Sequence, residues 1–218
     1  ETLKAKSRGN VFTAPAPLGL AGSADFVRAI ANACGKEQEA EAFINEQLAR
    51  TVRRLEWIIP RVFIGRRAAL VSDPLSLPAL HAFMQELGFD VAVEILRKRV
   101  KSPDDPGPED PNALERLFDP SGETLNFHIS RAIEEGGLDL LLGNSWERDA
   151  LASFDLPFFE IDFPCMVRHN IADRPFWGFE GALNLADEWA RQISENEYRR
   201  SRASFREKTP AEKQTNKQ

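Results

Sequence analysis

Residues 67–96 read RAALVSDPLSLPALHAFMQELGFDVAVEIL, and the order of periods inside this stretch decides the fold. Arg67-Ala68-Ala69-Leu70-Val71 is the short apolar run expected of a strand buried on both faces, and Ser72-Asp73-Pro74 ends it. Residues 76–87 change to helical spacing: Leu77, Leu80, Phe83, Met84 and Leu87 share one face, and Gly88 stops the helix. Phe89 to Leu96 returns to a strand. Strand, helix and strand joined by such short links predict a right-handed βαβ crossover, and therefore a parallel sheet.

Working outward toward the carboxyl end, residues 124–135 read as a strand end followed by a helix, and Leu138-Asp139-Leu140-Leu141-Leu142 as a central strand. Gly143-Asn144-Ser145 turns that strand into a helix over 146–153, and Phe158-Phe159-Glu160-Ile161 is a last strand. Phe179, Ala182, Leu183, Ala186, Trp189, Ala190 and Ile193 make the apolar face of a terminal helix. Toward the amino end, Ser23 is placed to cap a short helix that Gly35 ends in a left-handed turn. Ile44, Leu48, Val52, Leu55 and Ile59 stripe a second helix over 38–59, with Pro60 at its end. The sum is a doubly wound, Rossmann-like α/β domain over 62–196, with about four parallel strands flanked by helices and preceded by an entry segment and helical pair over 1–61.

Composition bounds the function. The 218 residues are 42% hydrophobic and 28% charged, ordinary values for a chain with a real core. The net charge of −6 hides an asymmetry: residues 197–218 hold seven Lys/Arg against three Asp/Glu, or +4, which leaves −10 for the rest. An acidic body argues against contact with nucleic acid, and the polar, basic end reads as a disordered tail. Residues 102–111 hold four prolines and four acids with no apolar residue, the composition of an exposed loop. No apolar run approaches the roughly 20 residues that cross a bilayer, and the start, Glu1-Thr2-Leu3-Lys4, reads as a cut end without a signal core. Two cysteines, Cys34 and Cys165, offer no disulfide framework and too few thiolates for an all-cysteine cluster, which points to a reducing cytoplasm.

Candidate site residues follow from the geometry of open parallel sheets, whose ligands collect at the carboxyl ends of the strands. Those positions are Ser72-Asp73, Gly143-Asn144-Ser145 and Asp162-Phe163-Pro164-Cys165. Ser72, Asp73 and Ser145 either cap helices or touch a ligand or partner. Cys165 with His169 is half of a four-coordinate metal site, complete only with ligands from another chain; the alternative is a small apolar residue packed in a core. His81 and His128 have no partner spacing and read as helix-surface or loop residues. Trp146, Trp177 and Trp189 read chiefly as core or interface aromatics, with Trp177 also a candidate to wall a cofactor cleft. No Walker loop or GxGxxG follows a strand, and no nucleophile elbow is present.

Four segments in register resemble the nitrogenase component 1 family, which includes nitrogenase-like reductases and cofactor-assembly scaffolds. Ala16-Pro17-Leu18-Gly19 ahead of Phe26 is similar to the family's "P-x-G…T-x-x-F" entry. Asp73-Pro74 with Glu86-Leu87-Gly88 is similar to its "GDP…FL-x-ELG" unit. Asp139-Leu140-Leu141-Leu142-Gly143-Asn144-Ser145 resembles "D-x-x-I-G-N-S" of β-type subunits. Phe163-Pro164, Arg168-His169 and Gly178-Phe179-Glu180-Gly181-Ala182 resemble their "FP-x-x-D-R-H…G-Y-x-G-A" ending. The resemblance covers roughly residues 11–195.

It implies the carboxyl-terminal portion of a β-type subunit in a two-component oxidoreductase. Its partners would be an α-type nitrogenase-like subunit and an ATP-dependent iron–sulfur reductase. Iron–sulfur clusters are expected in the full complex and none within this chain, because the family's cluster cysteines lie before the point that matches Val11. In α-type subunits a cofactor-binding histidine precedes "G-F-D-G"; here Trp177 stands there, and an indole N–H cannot ligate a metal. A cofactor-assembly scaffold and a cluster-free Rossmann-like binding domain share the same fold and remain alternatives.

Overall fold

The computed structural model describes residues 11–97, 117–118, 121–168 and 173–208. The Pro-rich segment 102–111 and His169 lie outside the described residues. Elements run in the order α1 (Gly19–Cys34), α2 (Glu37–Leu55), a π-helical turn (Ile59–Phe63), β1 (Arg67–Ser72), α3 (Leu77–Glu86) and β2 (Asp90–Leu96). There follow β3 (Leu117–Phe118), α4 (Gly122–Gly136), β4 (Leu140–Gly143), α5 (Ser145–Ala150), a 3-10 turn (Ala152–Phe154), β5 (Phe158–Glu160) and α6 (Gly178–Lys208).

The strands form a parallel sheet in the order β3-β2-β1-β4-β5. The four expected strands are its body, and two-residue β3 adds an edge beside β2, too short to carry a period that a sequence reading could find. β1 lies at the centre because its residues are apolar on both sides: Ala68, Ala69 and Leu70 are all fully buried. Ala68 and Leu70 face a core completed by Leu77, Leu80, Phe83 and Met84 of α3 and by Leu185, Trp189 and Ile193 of α6. Ala69 and Val71 face the other, completed by Leu125 and Ile129 of α4 and by Leu151. Helices on both faces make the doubly wound arrangement that continuous apolar strands require.

Phe83, Phe89 and Phe159 surround Trp189, with ring centroids 5.5, 6.2 and 6.0 Å away. This cluster ties α6 to α3 and the sheet. A third, smaller core of Ala24, Ile44 and Phe179 holds α1 and α2 against α6. At the amino-terminal edge of the sheet Arg66 bonds Asp139 and Glu197, while Arg67 reaches Asp90 and the carbonyls of Ala132 and Gly137. That edge is spent on structure.

Several local readings differ from expectation, among them residues 124–135, which are helical throughout and hold no strand end. Ser23 does not cap α1: the helix begins at Gly19, and the Ser23 hydroxyl donates back to the Gly19 carbonyl. The N–H groups of Leu20 and Ala21 instead donate to the Glu86 carboxylate, 66 and 65 residues away, a partner no local pattern announces. Helix α2 stops at Leu55, because Pro60 has no N–H and the chain passes through a π turn closed by Ile64 N–H on the Ile59 carbonyl. Finally α6 continues to Lys208, past the residue 197 at which a tail was set. No glycine or proline interrupts residues 182–208, and Arg66–Glu197 and Arg200 to the Asp155 carbonyl hold the extension to the domain. No helix among the described residues is long and apolar enough to cross a membrane.

Candidate functional site

The loops after β1, β4 and β5 meet at the carboxyl edge of the sheet, and two buried carboxylates organise them. Glu160, the last residue of β5, has a side chain 1% exposed. It accepts hydrogen bonds from the Ser145 hydroxyl (3.0 Å), the Cys165 thiol (3.4 Å) and the backbone N–H groups of Val167 (3.2 Å) and Arg168 (2.9 Å). Arg148 adds an ion pair at 3.6 Å. Burial opposes the charge, but these donors outweigh it and hold the carboxyl below the usual range. Asp162 accepts from the Ser72 hydroxyl and the Asp73 N–H and lies 3.7 Å from Arg97. Its φ of 66° bends the chain so that the carboxylate turns back under β1.

Arg97, at the end of β2, also pairs with Glu147 at 3.1 Å and donates to the Val71 carbonyl. Glu147 completes a capping box with Asn144: the Asn144 side chain accepts from the Trp146 and Glu147 N–H groups, and Glu147 accepts from the Asn144 N–H. Asp73 accepts from the N–H groups of Leu75 and Ser76. A Cβ at Gly143 would stand 3.1 Å from Glu147 and from the Phe158 ring, so the glycine there serves close packing. Ser72, Asp73, Gly143, Asn144 and Ser145 therefore lie at one edge of the sheet, but their polar groups bond the β5 loop and the backbone leading into α3 and α5.

A cavity of about 350 Å³ opens beside this network, walled by Leu18, Ile161, Phe176 and Trp177, with Cys165 and Arg168 on its lining. Of the sequence-derived site residues, Asp162, Cys165 and Trp177 reach it. Trp177 is half exposed, and Phe163, Met166 and Val167 nearby are also exposed. The Arg168 guanidinium sits over the rings of Phe159 (4.2 Å) and Phe176 (4.7 Å). Burial pulls it below the ordinary arginine value, although arginine keeps its charge at any physiological pH. Sequence reasoning named Arg168 only within a motif; its aromatic partners lie on β5 and ahead of α6, so spacing gave no signal. The same holds for His81, which bonds Glu94 on the neighbouring strand instead of facing solvent.

Among the described residues the donor set does not fit a metal cluster. Burial and then the Glu160 carboxylate push the Cys165 thiol up, the opposite of what a thiolate ligand needs. Cys34 lies at the end of α1, and no group of three or more His, Cys, Asp and Glu suited to a metal occurs among the described residues.

The family model for nitrogenase component 1 type oxidoreductases matches residues 1–194. The chain is 26% identical over 197 residues to the nitrogenase molybdenum-iron protein beta chain of Clostridium pasteurianum, covering 86% of this chain and 41% of that one. It is 28% identical over 179 residues to the corresponding beta chain of Bradyrhizobium diazoefficiens, covering 78% and 32%. The solved structure titled "Nitrogenase Cp1 at pH 6.5" superposes with a TM-score of 0.68 at 23% identity, covering 86% of this chain and 40% of the other, which shows a shared fold. The chain thus spans about two-fifths or less of the length of these relatives.

Proposed function

This chain belongs to the nitrogenase component 1 type oxidoreductase family, and we propose that it is the carboxyl-terminal scaffold portion of a β-type subunit in a nitrogenase-like two-component enzyme. Electron transfer and substrate reduction fall to polypeptide outside these 218 residues: an α-type subunit, an ATP-dependent iron–sulfur reductase, and the remaining length that the curated beta chains carry. Any iron–sulfur cluster would be held there, and the complex would work in the cytoplasm.

The observation that carries this reading is the state of the strand-end polar groups. In a catalytic α/β site such groups stay free to meet substrate or cofactor. Here Glu160, Asp162, Asn144, Ser145 and Ser72 are consumed by mutual hydrogen bonds that lock three loops together. A stiff edge with its polar groups satisfied suits a surface that supports neighbouring protein. The similarity to beta chains favours the β-type assignment over the scaffold proteins of cofactor assembly.

The test is reconstitution. The full-length polypeptide containing this chain, co-expressed with an α-type component 1 subunit, is expected to copurify with it and to support reductant oxidation only with ATP and the iron–sulfur reductase. Stoichiometric iron and sulfide in the isolated 218-residue chain, or a complex that transfers a cluster without turning over, would reject the proposal.

A further inference from the structure

The cavity beside Arg168 has one property that the scaffold role leaves unused. Its two lining acids are neutralised from within the fold: Glu160 by four hydrogen bonds and Arg148, Asp162 by Ser72, the Asp73 N–H and Arg97. Arg168 is not neutralised. No carboxylate among the described residues forms an ion pair with it, and its Nη1 is buried without a hydrogen-bond acceptor. Glu188 is the acid whose charge favours the Arg168 cation from a distance, and it is shared with Arg174 and Arg191, which both pair with it directly. A half-buried guanidinium without an anion is costly, and the two phenyl faces beneath it recover only part of that cost.

Among the described residues the rest of the wall is mostly apolar, from Leu18, Ile161, Phe176 and Trp177, with Ser76 and Cys165 beside them, and the volume of about 350 Å³ lies within the range of small-molecule sites. We propose that this cavity binds a small organic carboxylate with a flat apolar body, its carboxylate on the Arg168 guanidinium and its body against Trp177 and Phe176. A monoanion fits better than phosphate. One guanidinium balances a single charge and leaves the second charge of a dianion uncompensated, and a bare phosphate would leave the apolar walls wet.

Benzoate is the probe. Calorimetric titration of the whole chain should give saturable binding of benzoate and none of neutral benzamide, and the Arg168→Gln variant should bind benzoate about tenfold more weakly or worse, the loss expected for a charge-assisted hydrogen bond. Equal affinity for benzamide, equal affinity in the variant, no benzoate binding, or inorganic phosphate binding as tightly as benzoate would each overturn the proposal. Because Arg168 also packs on two rings, a second measurement leaves it in place. In Cys34→Ala protein, benzoate should slow labelling of Cys165 by a neutral maleimide several-fold, while benzamide leaves the rate unchanged; an unchanged rate with benzoate overturns it. These readouts use the isolated chain, so they succeed or fail independently of subunit assembly.

Discussion

Glu160 shows how one residue can be apolar by position and ionic by partnership. It ends a strand whose neighbours Phe159 and Ile161 are buried, yet its carboxylate is the acceptor for side chains and backbone from two loops. Glu160→Gln should cost about 2 kcal/mol in urea unfolding at neutral pH, because it trades a charge-assisted acceptor for a neutral amide that must place an NH₂ among donors. The pH dependence has a defined sign. The folded pKa is depressed, so the stabilisation is complete above about pH 5 and is lost as pH falls through the folded value; the gap between wild type and Glu160→Gln should close on that acid limb. A gap that is flat down to acid unfolding would contradict this. The Cys165 thiol should also alkylate faster in Glu160→Gln at neutral pH, since one of the two groups of causes that raise its pKa is the adjacent charge. Sequence located both residues at a strand end. It could not pair them, because the contact depends on the path of a loop.

At the scale of elements, the helices differ in how they solve their free N–H groups. Helix α5 caps itself with the Asn144 and Glu147 box, three residues apart, whereas the sequence reading offered the neighbouring Ser145, whose hydroxyl is turned to Glu160 instead. Helix α1 borrows Glu86 from the end of α3, and Gly19 at φ 75° lets the chain approach so closely that a Cβ would stand 2.9 Å from the Phe83 ring. Burial raises the Glu86 pKa while the two N–H groups oppose it, as expected of a carboxylate spanning an interface between helices. Asn144→Ala and Glu86→Ala should each destabilise by about 1 kcal/mol. Their hydrogen-exchange signatures should differ: the first should loosen α5 alone, whereas the second should expose the Leu20 and Ala21 amides and weaken the packing of α1 on α3. Equal protection of Leu20 and Ala21 in wild type and Glu86→Ala would refute the tertiary cap.

At the scale of the molecule, Trp189 joins the layers, fully buried against rings from α3, β5 and Phe89 just ahead of β2. Trp189→Ala should cost about 3–5 kcal/mol by opening a cavity between α6 and the sheet, whereas Trp57→Ala, at a side chain 55% exposed, should stay within about 0.5 kcal/mol. Similar losses at both would mean that α6 does not share the main core. Much of this architecture was written locally. The apolar runs of β1 and β4, the stripes of α3 and α6 and the glycine after α3 set the period, type and order of the elements, because each depends on spacing within a few residues. The β5 loop that returns beneath β1, the Arg97 and Glu86 contacts across the fold, the rings under Arg168 and the cavity they wall were decided only by tertiary structure. Most of those contacts join residues tens of positions apart, and even the Arg168 rings, eight and nine positions away, are set by the path of a loop; what fixes them all is the geometry of packed layers, which no local repeat encodes.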